Sequence, residues 1–301
     1  MGAISRRPGM AGVNEVFAMA YEFIKTEVVD GVLVMTMHDP PTRNALGPDM
    51  AAEMFERLDE FENNPEERVL VLTGTAPSFC SGANVRGFRR RIDEREAETE
   101  PEPLTWGKME YMKGRQRPAE SGPRVNFVPL RIHDLQKPSI AVVNGPAAGV
   151  GCGLALSCDI RVVGDSGRLS ERFVLNGLIP GDGSCWQLPK LIGTSNTLLL
   201  QYTGDWMGGE DAVHIGLASK CFPDDQLMEG AMELAKRIAS GPTVAHSLTK
   251  YLVHESMDLT FREALELASA AQEHVRRTED HKIAVQWFLD KNRGMPPFVG
   301  R

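Results

Sequence analysis

Between Ser139 and Asp159 the chain reads SIAVVNGPAAGVGCGLALSCD, a segment in which backbone groups are placed to do chemistry. The apolar run IAVVN predicts a buried strand, and GLALSCD has the small and apolar residues of a buried helix. A glycine-rich turn joins them. Glycine lets main chain approach a ligand closely, and the first turn of a helix leaves N–H groups without intrahelical partners. Such donors suit a phosphate, a carboxylate or a developing oxyanion. From this turn alone the three remain open.

The elements that must position the turn are legible on either side. VLVMTM (32–37) and VLVLTG (69–74) predict strands. Between them Ala51, Met54, Phe55, Leu58 and Phe61 recur at helical spacing. IAVV (140–143) and IRVV (160–163) bracket the helix of the glycine turn in the same manner. Alternating strands and helices over residues 1–190 indicate α/β layering. Residues 86–125 break the pattern, being dense in charge, Pro and Gly, and read as a long loop or helical flap. From about Ser195 the pattern is nearly all helical, through LMEGAMELAKRIAS, TVAHSLTKYLVHES, FREALELASAAQEHVRRT and EDHKIAVQWFLDKN. The expected organisation is a leader over 1–20, a core over 21–205 and a helical region over 206–301.

Composition narrows the function classes. The 301 residues are 42% apolar and 25% charged, as in ordinary globular proteins. A net charge of −8 argues against nucleic acid or an anionic membrane as partner. No apolar run approaches the roughly 18 residues of a membrane span, and MGAISRRPGMAG lacks the apolar core of a signal peptide. Five scattered cysteines with no Cys-x-x-Cys pair fit reduced thiols in a cytoplasm and neither a disulfide framework nor a metal site. Gly149–Gly153 matches the dinucleotide fingerprint poorly, since the third glycine comes one residue early. Gly164-Asp165-Ser166-Gly167 has the letters of a serine-protease nucleophile segment in a chain that is not all-β, and reads as chance.

A second segment gives the turn its meaning. LVLTGTAPSFCSGANV (70–85), PPTRNALG (40–47), the glycine turn and Leu178-Ile179-Pro180-Gly181 occur in an order that resembles the crotonase (enoyl-CoA hydratase/isomerase) superfamily. The resemblance runs from about residue 22 to Arg301 and includes TGDWMGGEDAVHIGLASKCFP and the terminal PFVGR. It implies a spiral of ββα units with a C-terminal helical region, assembly as trimers or hexamers, and acyl-CoA thioesters as substrates with no prosthetic group. It also implies that the backbone N–H groups of Ala83 and Val150 hold the thioester oxygen as it becomes an enolate. CoA is then expected near Arg43, Ala45, Ser81, Ala83 and Val85. The Arg43 side chain suits a pyrophosphate or bulk solvent equally well.

The chain also departs from that family. Hydratases of this type use two glutamates, and the matching positions here are Gly153 and Phe173. A hydratase-type acid–base pair is therefore absent at those positions. Asp182, in IPGDGS, lies in a loop where isomerases, dehalogenases and β-diketone hydrolases of the superfamily place a carboxylate, some of them one residue earlier at the Gly181 position. It is the candidate base, with capping of the following helix as the alternative. Glu171 is expected in a surface ion pair, and His133 as a packed or surface histidine. Glu110 and Tyr111 in the insert are positioned to close over an acyl chain. The resulting expectation is an enolate-forming acyl-CoA enzyme doing isomerisation, hydrolysis or C–C cleavage. A CoA-independent β-diketone hydrolase and a non-catalytic acyl-CoA-binding relative are the alternatives.

Overall fold

The computed structural model describes residues 21–84 and 125–301. Val85, Glu110, Tyr111, the 1–20 leader and nearly all of the 86–125 insert lie outside the described residues. Among the described residues nine strands fall into two sheets. The larger holds β1 (Ile24–Val29), β2 (Val32–Met37), β3 (Val69–Gly74), β4 (Ser139–Val143), β6 (Ile160–Gly164) and β9 (Lys220–Phe222), in that spatial order. All its pairings are parallel except the β1–β2 hairpin. The smaller sheet is β5 (Pro146–Ala148), β7 (Arg168–Ser170) and β8 (Met207–Gly208).

The chain winds between the two sheets. β4 and β5 lead into α3 (Val150–Ser157), and β6 and β7 lead into α4 (Ser184–Thr203). These are the ββα units that the resemblance implies. Every residue of VLVLTG is buried, because the parallel strands are covered on both faces. Leu33, Met35, Leu70, Leu72, Ala141 and Val143 face α1 (Pro48–Asn63), α2 (Val128–His133) and α3. Val32, Val69, Val71, Ile140, Val142 and Val162 face α6 (Leu227–Ala239), whose Leu227, Ala231, Ala235 and Ala239 recur every four residues. Along the chain α5 (Gly209–His214) and β9 precede this helix. The helical region continues with α7 (Thr243–Glu255), α8 (Phe261–Val275) and α9 (Glu279–Leu289). α4 itself begins at Ser184, ahead of the point near Ser195 where the helical pattern becomes legible, because Pro189 and a non-helical Gly193 interrupt its periodicity.

Buried polar side chains tie the loops above the strands together. Asn44, fully buried at φ +60°, donates from Nδ2 to the carbonyls of Thr75 and Ser78, each at 2.8 Å. Its Oδ1 accepts the Asp39 N–H at 3.1 Å. One side chain thus locks the 39–45 loop to the 75–79 loop. Asparagine also tolerates the left-handed backbone this corner demands. Asn44→Gly should cost about 2–3 kcal/mol for the orphaned carbonyls. Asn44→Ala should cost about 1 kcal/mol more, for a Cβ in the left-handed region. Urea unfolding of the two variants measures both terms, and equal losses would show that the backbone conformation carries no cost.

Candidate active site

Two loops converge on one hollow. The first is held in place by its own backbone: Ser81 N–H donates to the Arg43 carbonyl at 3.0 Å, and Leu46 N–H to the Gly82 carbonyl at 2.8 Å. Ser81 Oγ donates to the Thr42 carbonyl at 2.7 Å. The second loop is the glycine turn. Gly149, at φ +51°, donates to the Ser170 carbonyl at 2.8 Å, and Ala148 to the Cys80 carbonyl at 2.9 Å. At Gly151 any side chain is excluded, since a Cβ there would lie 2.5 Å from the Cys80 carbonyl oxygen. Glycine at this position lets the N-terminus of α3 sit directly on the 80–83 segment.

These contacts use the N–H groups of Ser81, Ala148 and Gly149 and leave those of Ala83 and Val150 open. Among the described residues, neither the Ala83 nor the Val150 N–H has a hydrogen-bond acceptor. Val150 is the first residue of α3, where no intrahelical carbonyl is available. Both residues line the same cavity of about 330 Å³, together with Arg43, Ser81, Gly149 and Phe173. The Phe173 ring lies over Gly149, with Cζ 3.5 Å from where a Cβ would be. Two free N–H groups beside an apolar ring are equipped to bind an oxygen that gains charge.

The mouth of the cavity is basic. Arg43, exposed and at φ +59°, shares it with Arg168 and Arg172. Both latter guanidiniums lie over the Trp206 ring, at 4.8 and 5.1 Å from its centroid. A more open hollow of about 690 Å³ adjoins it and shares Arg43, Arg168 and Trp206. Sequence reasoning missed Arg168, Arg172 and Trp206. Their signal is one of topology, since β7 and β8 must pair antiparallel before Arg168 and Trp206 can meet. Ala45 is buried, gives its N–H to Thr42 Oγ at 3.1 Å, and supports the loop without lining the cavity.

Asp182 is not among the residues that line this cavity. It is 5% exposed, and its carboxylate occupies the space beside Gly153, where a Cβ would come within 2.7 Å of its Cγ. Its Oδ1 accepts from the Ser184 N–H at 3.2 Å and is 2.8 Å from Ser184 Oγ. Helix capping and the space beside Gly153 are therefore both served by one side chain. Glu171 is not in a surface ion pair. It is 2% exposed, 2.6 Å from the same Ser184 hydroxyl, and beside the Cys152 thiol. The expectation fails because Glu171 follows β7 into the interior, where the start of α4 covers it. Burial pushes both carboxyls up, Glu171 to about 8 with help from the charge on Asp182. His133 is packed elsewhere, stacked on His254 at 4.4 Å and edge-on to Trp186 at 5.4 Å, on a separate cavity. Burial lowers its pKa. Among the described residues no cluster is arranged to hold a metal ion, and no helix is long and apolar enough to cross a membrane.

Known proteins share this sequence and architecture. A family profile described as enoyl-CoA hydratase/isomerase matches residues 27–106 and 107–300. A short-chain-enoyl-CoA hydratase of Clostridium acetobutylicum is 32% identical over 263 residues, covering 87% of this chain and 92% of that one. A 1,2-epoxyphenylacetyl-CoA isomerase of Escherichia coli is 30% identical over 280 residues, covering 93% and 99%. The crystal structure of an enoyl-CoA hydratase from Bacillus anthracis superposes with a TM-score of 0.76 at 26% identity, covering 93% of this chain and all of that one. With the two convergent loops and the ββα spiral in place, the chain belongs to the enoyl-CoA hydratase/isomerase family of the crotonase superfamily.

Proposed function

We propose that this protein is an acyl-CoA enzyme that moves a proton next to the thioester carbonyl, with Ala83 and Val150 N–H groups holding the enolate oxygen and Asp182 as base. Relatives named hydratase and isomerase match at similar identity, so relatedness does not choose between reactions and the side chains must. The observation that carries the reading is the exchange of places at Gly153. The first turn of α3 has no side chain there, and the Asp182 carboxylate fills the vacancy from the opposite strand–helix connection. A carboxylate is thereby returned to the neighbourhood where the family resemblance expects a glutamate, from a different point in the chain. At the other expected position the Phe173 ring faces the cavity, which offers an attacking water no second carboxylate. Proton transfer needs one base, whereas hydration of the family's usual kind needs two carboxylates. Isomerisation, hydrolysis and C–C cleavage all share this enolate step.

The basic mouth supports the CoA part of the reading. Arg43 and Arg168 line both hollows and Arg172 lines the first, so guanidiniums are available to a group such as a pyrophosphate that spans the two. This favours a CoA thioester over a free β-diketone. The resemblance carries self-association with it, and Phe261, Leu265, Phe288 and Leu289 on α8 and α9 are apolar and exposed in the isolated chain.

The decisive measurement is hydrogen–deuterium exchange at the carbon next to the thioester, read by mass spectrometry across a panel of acyl-CoAs. Asp182→Asn should slow exchange by about 10²–10⁴-fold, the usual contribution of a positioned base. Unchanged exchange would reject Asp182, and efficient hydration of short enoyl-CoAs would reject the reaction class. Val150→Pro removes one oxyanion donor at a helix position that accepts proline, and should lower turnover by about 10²–10³-fold. Arg43→Ala should weaken CoA binding by about ten-fold, the loss of one charge-assisted contact, and free CoA titrated calorimetrically against both proteins measures it.

A further inference from the structure

Ser184 presents an accounting problem whose solution places a proton. Its side chain, fully buried, lies 2.6 Å from Glu171 Oε2 and 2.8 Å from Asp182 Oδ1. A hydroxyl has one hydrogen to donate. If both carboxyls were ionised, one contact would set oxygen lone pairs against each other at hydrogen-bond distance. None of the ion pairs among the described residues involves either group. Two adjacent buried carboxylates with no cation are strongly disfavoured. One of the two must therefore donate to the Ser184 oxygen.

We infer that Glu171, Ser184 and Asp182 hold a single proton between two carboxyls, with Glu171 the resting acid and Asp182 the resting carboxylate. Glu171 Oε2–H donates to Ser184 Oγ, and Ser184 Oγ–H donates to Asp182 Oδ1. The backbone decides the direction. Asp182 Oδ1 also accepts the Ser184 N–H at the start of α4, where free amides favour a negative charge. Glu171 has no such amide. Its other neighbour is the Cys152 thiol on α3, a weak donor whose own ionisation burial opposes. The remaining titratable groups facing the pair leave this order intact. Cys185 on α4 is neutral, its pKa also raised by burial. Arg161 on β6 is turned toward Cys152 and Cys158, with its guanidinium spent on the carbonyls of Leu156, Cys158 and Leu217.

Asp182 Oδ2 and Glu171 Oε1 are buried with no hydrogen-bond partner. Asp182 Oδ2 is the atom nearest the vacant side-chain position of Gly153, so it is the free end of the chain of hydrogen bonds. A concerted double hop moves the Glu171 proton to Ser184 as the Ser184 proton passes to Asp182 Oδ1. Only O–H bonds break and form, and the net charge stays at −1. Glu171 touches no substrate. It is a positioning residue that keeps Ser184 donating toward Asp182. Its effect on turnover rests on the reading of Asp182 as base, whereas the shared proton does not.

Infrared spectroscopy of the substrate-free protein tests the proton directly. At pH 7 the wild type should show the carbonyl band of a protonated, buried carboxylic acid. The band should shift on labelling with ¹³C-glutamate, fade as pH rises through about 8, and be absent from Glu171→Gln. No such band, or one that shifts only with ¹³C-aspartate, would overturn the assignment. The labelling arm needs no variant to fold.

Stability carries the same sign. Glu171 binds its proton more tightly in the folded chain than at its ordinary value of 4.5, so this contribution is full below about 4.5 and is lost as pH rises to about 8. The melting temperature should fall across that window, and less steeply in Glu171→Gln. In the exchange assay, wild-type rates should fall above pH 8, where two anions compete for one hydroxyl. Glu171→Gln should be slower by a few-fold but lack that alkaline fall, because its amide can still donate to Ser184. An alkaline fall unchanged in Glu171→Gln would overturn the positioning role. If the band behaves as expected while Asp182→Asn keeps full exchange, the shared proton stands and the base lies elsewhere.

Discussion

The close approach of the α3 N-terminus to the Cys80–Ala83 segment is the constraint on which the site depends. It requires Gly151, because any side chain there would collide with the Cys80 carbonyl. It also requires that neighbouring backbone groups be used up. Phe79 and Cys80 N–H both donate to the Pro146 carbonyl, Ala148 to Cys80 and Gly149 to Ser170. Among the amides left open in the described residues are those of Ala83 and Val150, which come from distant parts of the chain and line one cavity. Val150 is buried and Ala83 partly buried, and on the proposed reading a ligand oxygen completes both. The spiral, with its parallel strands buried on both faces, gives this junction a rigid support.

Charge balance links the junction to the carboxyls behind it. In the proposed reaction the oxygen held by two amides gains a full negative charge as an enolate forms. A carboxylate that takes up the proton loses one at the same moment, so the site's net charge is constant through the step. That balance holds only if one carboxylate is ionised at the outset. Two charges beside a developing anion would oppose the reaction with little water to screen them. Ser184, bonded to both carboxyls, is the residue that makes one proton serve the pair.

Much of the architecture is legible in the sequence, because it depends on local pattern. Four of the five long strands follow from continuous β-rich runs such as VLVLTG, and the longer helices from period-3.6 runs such as LMEGAMELAKRIAS, whereas β1 is not among the strands read from sequence. The glycine turn and SGANV identify each other by order along the chain. The two- and three-residue strands β5, β7, β8 and β9 carry too little pattern to be read, and the pairing of β7 with β8 is what brings Arg168 to Trp206. Glu171 shows the same limit. In SERF it looks like any solvated charge, and only the packing of β7 under α4 reveals that it is 2% exposed. Asp182 was visible as a candidate. Its placement beside Gly153 was not, since two residues 29 positions apart fill one space only when the fold joins them.

The exchange between Gly153 and Asp182 also bears on what the pocket excludes. A carboxylate carried on α3 would project from the helix into the cavity. Asp182 instead reaches the helix from behind, and its carboxylate stops at the position a Cβ would occupy. The carboxylate proposed as base is thereby kept out of the cavity lining, and the Phe173 ring takes the position over Gly149. A recessed base and an apolar wall leave little to hold a water in line with a double bond. On the proposed reading, the absence of a side chain at Gly153 therefore favours proton movement within the substrate over addition of solvent to it.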